Sequence, residues 1–98
     1  MLYEVALRHV READDALGGG RHEQARDRIG RALAVVDELT LTFDVVEPAE
    51  LADHLLSVYR YCRRRLLEAN QWRDRQALAD VISAITPLYD VWSRVAAA

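Results

Sequence analysis

Histidine and cysteine are the residue types in this chain most suited to metal binding or nucleophilic chemistry. The three histidines, His9, His22 and His54, show none of the spacings that place two ligands on one helix face. The single cysteine, Cys62, excludes an intramolecular disulfide and any zinc site built from several cysteines. We therefore expect no metal site. The interpretation favoured for Cys62 is a buried structural thiol, and for His9 a histidine in or at the edge of the core.

Adjacent carboxylates and glycine runs could supply acid–base catalysis or a phosphate site. Asp14-Asp15 and Asp37-Glu38 are such acidic pairs, but neighbouring side chains on a helix point about 100° apart and cannot form one dyad. The run Gly18-Gly19-Gly20 lacks the preceding strand and the Lys-Ser/Thr of a phosphate-binding loop. These patterns predict solvated acidic faces and a glycine turn, and they offer no pair of acid/base groups that would support an enzyme.

Arginine provides the whole basic charge of the chain. All 13 basic residues are arginine, and 16 acidic residues bring the net charge to −3. A local basic cluster consists of Arg60, Arg63, Arg64, Arg65, Arg73 and Arg75. It is typical either of a charged outer face with long apolar stems or of a patch for RNA or an acidic partner. The negative net charge favours the charged face, so we expect no nucleic-acid partner.

Apolar residues recur at steps of three and four in four segments, which predicts four helices. The segments run from Leu2 to Leu17, from His22 to Phe43, from Pro48 to Asn70 and from Asp74 to Val95. Asp74 is a suitable N-cap, and Asn70 is a suitable left-handed C-cap. Pro87 removes a backbone hydrogen bond and should kink the last helix. Short connections favour antiparallel neighbours, so we expect an all-α, antiparallel up-down four-helix bundle.

Length and composition agree with a small helical protein. The chain has 98 residues, of which 51% are hydrophobic, and this is enough for one core. We expect residues 1–98 to form a single domain, which excludes the larger α/β catalytic folds. No signal peptide and no 18-residue apolar run is visible, which predicts a cytoplasmic protein without membrane insertion.

Apolar residues remain after the core seams of the four helices are filled. A bundle needs about three apolar positions in seven, and this chain has more. Two interpretations stay open: the surplus widens the core, or it forms a groove for a partner helix or a dimer face. The candidates for partner contact are Tyr3, Leu7, Val10, Leu56, Tyr59, Leu67, Ile82 and Tyr89.

The third segment resembles a known family signature. The stretch from Leu55 to Cys62 reads LLSVYRYC, followed by Leu66 and then by Ala69-Asn70. This order is similar to the L-x-x-L/V-Y-x-Y-M … L … A-N signature of the flagellar secretion chaperones, the FliS family. Smaller matches lie along the whole chain at Leu2-Tyr3-Glu4, Arg31-Ala32, Asp37-Glu38-Leu39, Asp74 and Trp92. The family's N-terminal cap segment has no counterpart here, so we expect a short first helix and a groove left uncovered.

The resemblance implies a function as well as a fold. It implies a cytosolic four-helix chaperone that binds the C-terminal helical region of flagellin and prevents premature polymerisation. Such a chaperone hands its client to the type III export apparatus, whose gate is a further implied partner, and it needs no cofactor. The alternative is a diverged homodimeric bundle without a flagellin client, because exposed apolar surface favours self-association. An RNA-binding bundle rests only on the arginine cluster.

Overall fold

The computed structural model describes residues 1–42 and 48–97, and these residues form four helices and no strand. The helices are α1 (Leu2–Gly18), α2 (His22–Leu41), α3 (Ala49–Trp72) and α4 (Arg75–Ala97). Helix α1 packs against α2 and α4, and α3 packs against the same two helices. The predicted all-α four-helix bundle is confirmed. No helix in the described part of the chain is both long enough and apolar enough to span a bilayer.

Most helix boundaries lie close to the capping and turn residues of the sequence, and the end of α3 shows the largest difference from expectation. Gly20 takes a φ of 73° in the turn after α1, and the Asp74 carboxylate accepts a hydrogen bond from the Gln76 N–H at 2.9 Å, as expected of an N-cap. Asn70 is not the C-cap of α3. The helix continues to Trp72, and Arg73 adopts the left-handed conformation with a φ of 52°. The apolar seam ends at Ala69, but the backbone remains helical until the short turn into α4.

The remaining boundaries differ from expectation by a residue or two. Pro48 is the N-cap of α3 instead of its first helical residue, and its carbonyl accepts hydrogen bonds from the N–H groups of Leu51 and Ala52. Helix α2 ends at Leu41, and the predicted end at Phe43 lies outside the described residues. Helix α4 is continuous across Pro87 and is not divided there.

Ion pairs fix how the helices lie alongside one another. Asp14 near the end of α1 accepts a hydrogen bond from Nε of Arg75 at the start of α4, at 2.8 Å. Asp37 on α2 accepts one from Arg63 on α3 at 3.2 Å. The helices therefore alternate in direction. We call the end that holds the start of α2, the start of α4 and the ends of α1 and α3 the closed end. The opposite end, with the starts of α1 and α3, is the open end.

The core draws large side chains from every helix and is apolar throughout. No polar or charged residue is fully buried among the described residues. The largest fully buried side chains are Val10, Ile29, Val36, Cys62, Leu66, Leu78, Val81 and Ile85. Burial of these side chains is the main stabilising contribution, since each removes a whole hydrocarbon side chain from water.

Candidate functional site

The apolar seam of α4 is covered along only part of its length. Leu78 and Val81 are fully buried, and Ile85 is 1% exposed. Trp92 and Val95 continue the same three-and-four spacing but are 40% and 61% exposed. Because these residues share one helix face, the change in exposure reflects what lies opposite the seam and not the seam itself.

The unequal lengths of the helices explain this change. Helix α1 has 17 residues, whereas α3 has 24 and α4 has 23. Arg75 lies beside Asp14, so Leu2 lies at about the level of Pro87, roughly 18 Å further along the antiparallel pair at 1.5 Å per residue. The last turns of α4 therefore lie beyond the level of Leu2, and within the described part of the chain no α1 side chain lies opposite Trp92 and Val95.

Helix α3 behaves in the same way at its start. Leu55 is 3% exposed, but Leu51, one turn earlier on the same face, is 40% exposed. The three-and-four spacing places Leu51, Trp92 and Val95 on the same helix faces as buried core residues, but all three side chains are exposed. The spacing identified the correct face of each helix, but it carries no information on how far the neighbouring helix reaches.

Exposed apolar side chains concentrate at the open end. Among residues 1–42 and 48–97, eight large hydrophobic residues are exposed, and six of these lie at that end. We call these six the open-end surface: Met1, Leu41, Leu51, Val91, Trp92 and Val95. The other two, Leu67 and Trp72, lie in the last turns of α3. An uneven distribution of this kind is typical of a binding surface, since single exposed hydrophobic residues are usually scattered.

A buried tyrosine pair lies at the open-end side of the core. The hydroxyl groups of Tyr3 on α1 and Tyr59 on α3 are hydrogen-bonded to each other, and the ring centroids are 6.4 Å apart. Burial, together with the hydrogen bond to Tyr3, raises the pKa of Tyr59 above its ordinary value. The hydrogen-bonded pair ties the start of α1 to the diagonally placed α3.

The residues predicted to contact a partner divide into two groups. Tyr3, Leu7, Val10 and Tyr59 are buried in the core, and the structure brings the two tyrosines together. Leu56, Ile82 and Tyr89 are half-buried, and Leu67 is exposed. The open-end surface itself was missed. The sequence held one indication of this surface. The apolar pattern of the fourth predicted helix is longer than that of the first predicted helix.

Two of the residues first examined for chemistry, Cys62 and His9, lie in the core or at its edge. Cys62 is fully buried, as predicted, and burial raises the pKa of its thiol to about 12. His9 is half-buried, and desolvation lowers its pKa. No cluster of three or more metal-ligating side chains occurs among residues 1–42 and 48–97.

Carboxylates neutralise much of the arginine cluster. Arg65 on α3 donates hydrogen bonds to Asp80 on α4 at 2.8 and 3.1 Å and to Glu68 at 2.9 Å. Arg63 pairs with Asp37. The Arg65–Asp80 and Arg63–Asp37 pairs connect neighbouring helices, which supports the interpretation of the cluster as a charged outer face.

The fold and the open-end surface together define a helical bundle with charged outer faces and one end that exposes apolar side chains. A family model described as "Flagellar protein FliS" matches residues 1–98. The chain therefore belongs to the FliS family of flagellar proteins, and the resemblance seen in the third helix is confirmed.

Curated relatives support the same assignment. A protein of Bacillus subtilis is 30% identical over 94 residues, which cover 96% of this chain and 69% of the relative. One of Vibrio cholerae is 24% identical over 95 residues, covering 97% and 70%. One of Salmonella typhimurium is 29% identical over 70 residues, covering 70% and 52%. Each is named "Flagellar secretion chaperone FliS", and chaperoning is not a catalytic role.

Proposed function

We propose that this protein is a cytoplasmic flagellar secretion chaperone that binds the C-terminal region of flagellin. In this role it prevents premature polymerisation of the client and hands it to the type III export apparatus. Family membership and the names of the relatives support the chaperone role. The single observation that carries the binding site is the uncovered α4 seam, where Trp92 and Val95 continue a buried pattern into solvent.

The open-end surface suits an amphipathic helical segment of a client. Such a segment would pack its apolar side chains against the exposed Trp92 and Val95 of α4 and Leu51 of α3. A client that is disordered before binding loses conformational entropy as it folds onto the surface, so a sizeable apolar contact is needed to offset that cost.

Four of the residues predicted from the sequence remain proposed contacts. Leu56, Leu67, Ile82 and Tyr89 keep at least part of their side chains accessible. Leu67 lies in the last turns of α3, away from the open-end surface, so a client that contacts it must extend along the bundle. The four buried ones, Tyr3, Leu7, Val10 and Tyr59, serve in this proposal to hold the helices that frame the surface.

The test is calorimetric titration of the chain with a peptide of the flagellin C-terminal region. The parent chain should bind the peptide. Trp92→Glu should weaken binding at least about tenfold, the loss expected when a central aromatic contact is replaced by a charge. Trp92 is already 40% exposed, so the helical circular dichroism signal should be unchanged.

Trp72→Glu is the matched control. It places the same substitution at an exposed tryptophan near the closed end, and it should change affinity less than about twofold. Equal losses in the two variants would contradict the location of the site. Absence of binding at tens of micromolar peptide would contradict the flagellin assignment. A dimer mass in light scattering that Trp92→Glu abolishes would then favour the homodimeric alternative.

A further inference from the structure

A cavity lies at the closed end, remote from the open-end surface. Its volume is about 230 Å³, and it opens between the end of α1, the start of α2 and the end of α3. Leu17, Ala25, Ile29 and Ala69 form its apolar part. Ala25 of α2 and Ala69 of α3 lie in its inner wall, and their exposed fractions are 1% and 0%.

The charge around this cavity is unbalanced. Arg26 of α2 and Arg73, the residue that follows α3, both line it, and Glu23 is the one carboxylate among its lining residues. In the described part of the chain, neither Arg26 nor Arg73 pairs with a carboxylate. Arg63, Arg65 and Arg75, which lie between helices, all form such ion pairs. The guanidinium groups of the two cavity arginines therefore remain available to bind a carboxylate of a partner.

We propose that this cavity is a docking site for an acidic, apolar segment of a partner protein. An apolar side chain of the partner would fill the space above Ala25 and Ala69. A neighbouring Asp or Glu would accept hydrogen bonds from Arg26 and Arg73, because a guanidinium binds a carboxylate in a strong, charge-assisted geometry. Charge complementarity with Arg26 and Arg73 thus favours an acidic partner segment.

The position of the cavity allows it to be used together with the open-end surface. The molecule is 43 Å long, and the two sites lie at its opposite ends. A client at the open end and an acidic partner at the closed end could therefore bind the same molecule. The docking site is independent of the flagellin proposal, since it is argued from different residues.

The test uses fluorescence anisotropy with a short labelled peptide that alternates leucine with aspartate. The parent chain should bind this peptide, and the double variant Arg26→Gln/Arg73→Asn should weaken binding at least about tenfold. Asparagine is chosen because it tolerates the left-handed backbone that Arg73 adopts. Both arginines are exposed, so circular dichroism should report an unchanged helical fold.

Matched controls separate a specific site from general attraction between charges. The double variant Arg11→Gln/Arg94→Gln removes the same charge from exposed arginines elsewhere and should alter binding less than about twofold. A twin peptide with asparagine in place of aspartate should bind poorly. Equal loss in the control variant, equal binding of the twin peptide or no binding at millimolar concentration would each overturn the proposal. Displacement of the acidic peptide by the flagellin peptide would show that the two sites are not separate.

Discussion

At the closed end of the bundle Leu78 and Val81 are fully buried, whereas Trp92 and Val95, on the same α4 seam at the open end, are exposed. The residue types are similar, and the spacing is continuous. The difference arises because α1 lies opposite the first part of the seam and not the second. The same local pattern therefore produces a core at one end of the molecule and a candidate binding surface at the other.

The two ends also differ in how neighbouring helices are tied together. Near the closed end, Arg75 binds Asp14 and Arg65 binds Asp80, both at 2.8 Å between partly exposed groups. Toward the open end, the buried Tyr3–Tyr59 hydrogen bond joins α1 to α3. Solvent-exposed ion pairs contribute little stability, but a buried hydroxyl left without a partner is costly. Three changes in the protein test this contrast.

The largest effect should come from truncating the side chains at two matched positions of the α4 seam, Leu78 and Val95. Leu78→Ala removes a fully buried side chain and should lower the free energy of unfolding by about 2–5 kcal/mol. Val95→Ala at the open end should change it by less than about 0.5 kcal/mol. Urea unfolding followed by circular dichroism measures both variants. Similar losses would show that the open end is covered in solution.

An intermediate effect is expected at the tyrosine pair. Tyr59→Phe leaves the Tyr3 hydroxyl buried without its partner, which should cost about 1–2 kcal/mol of unfolding free energy. The double variant Tyr3→Phe/Tyr59→Phe should recover part of that loss, because neither ring then carries an unpaired hydroxyl. If the double variant is the sum of the two single variants, the hydroxyls do not interact in solution.

The smallest effect is expected on acidification, at the Arg65–Asp80 ion pair between α3 and α4. The hydrogen bonds from Gln76 and Arg65 hold the pKa of Asp80 below its ordinary value of 3.8. The folded state therefore gains stability from ionised Asp80 above that value, and the gain is lost as the pH falls through the lower folded pKa. Asp80→Asn should have a slightly lower urea midpoint than the parent chain at pH 7, and the gap should close in acid. A gap that widens on acidification would contradict the assigned direction.

Local patterns predicted much of the fold because capping and helical periodicity are local properties. Asp74 caps α4 as expected, and Cys62 lies in the core as expected. The C-cap of α3 was misplaced at Asn70, since the left-handed residue is Arg73. Arginine carries no strong sequence signal for this conformation, and the turn into α4 imposes it.

The candidate site could be predicted from the sequence less completely than the fold could. An apolar surplus was visible, but Tyr3, Leu7, Val10 and Tyr59 lie in the core, whereas Leu51, Trp92 and Val95 are exposed. Sequence spacing groups all of these residues as apolar positions on helix faces. Which of them meets solvent depends on contacts between residues far apart in the chain.

The sequence by itself determined the helical class, the four segments, the inward face of each helix and the family to which the chain belongs. The alignment of the helices along the bundle axis is a property of the tertiary structure, fixed through contacts such as Arg75–Asp14 and Tyr3–Tyr59. Periodicity specifies the direction in which a side chain points, but burial requires a neighbour at the same level. That neighbour is present for Leu78 and absent from the described structure for Val95, and this difference separates core from surface.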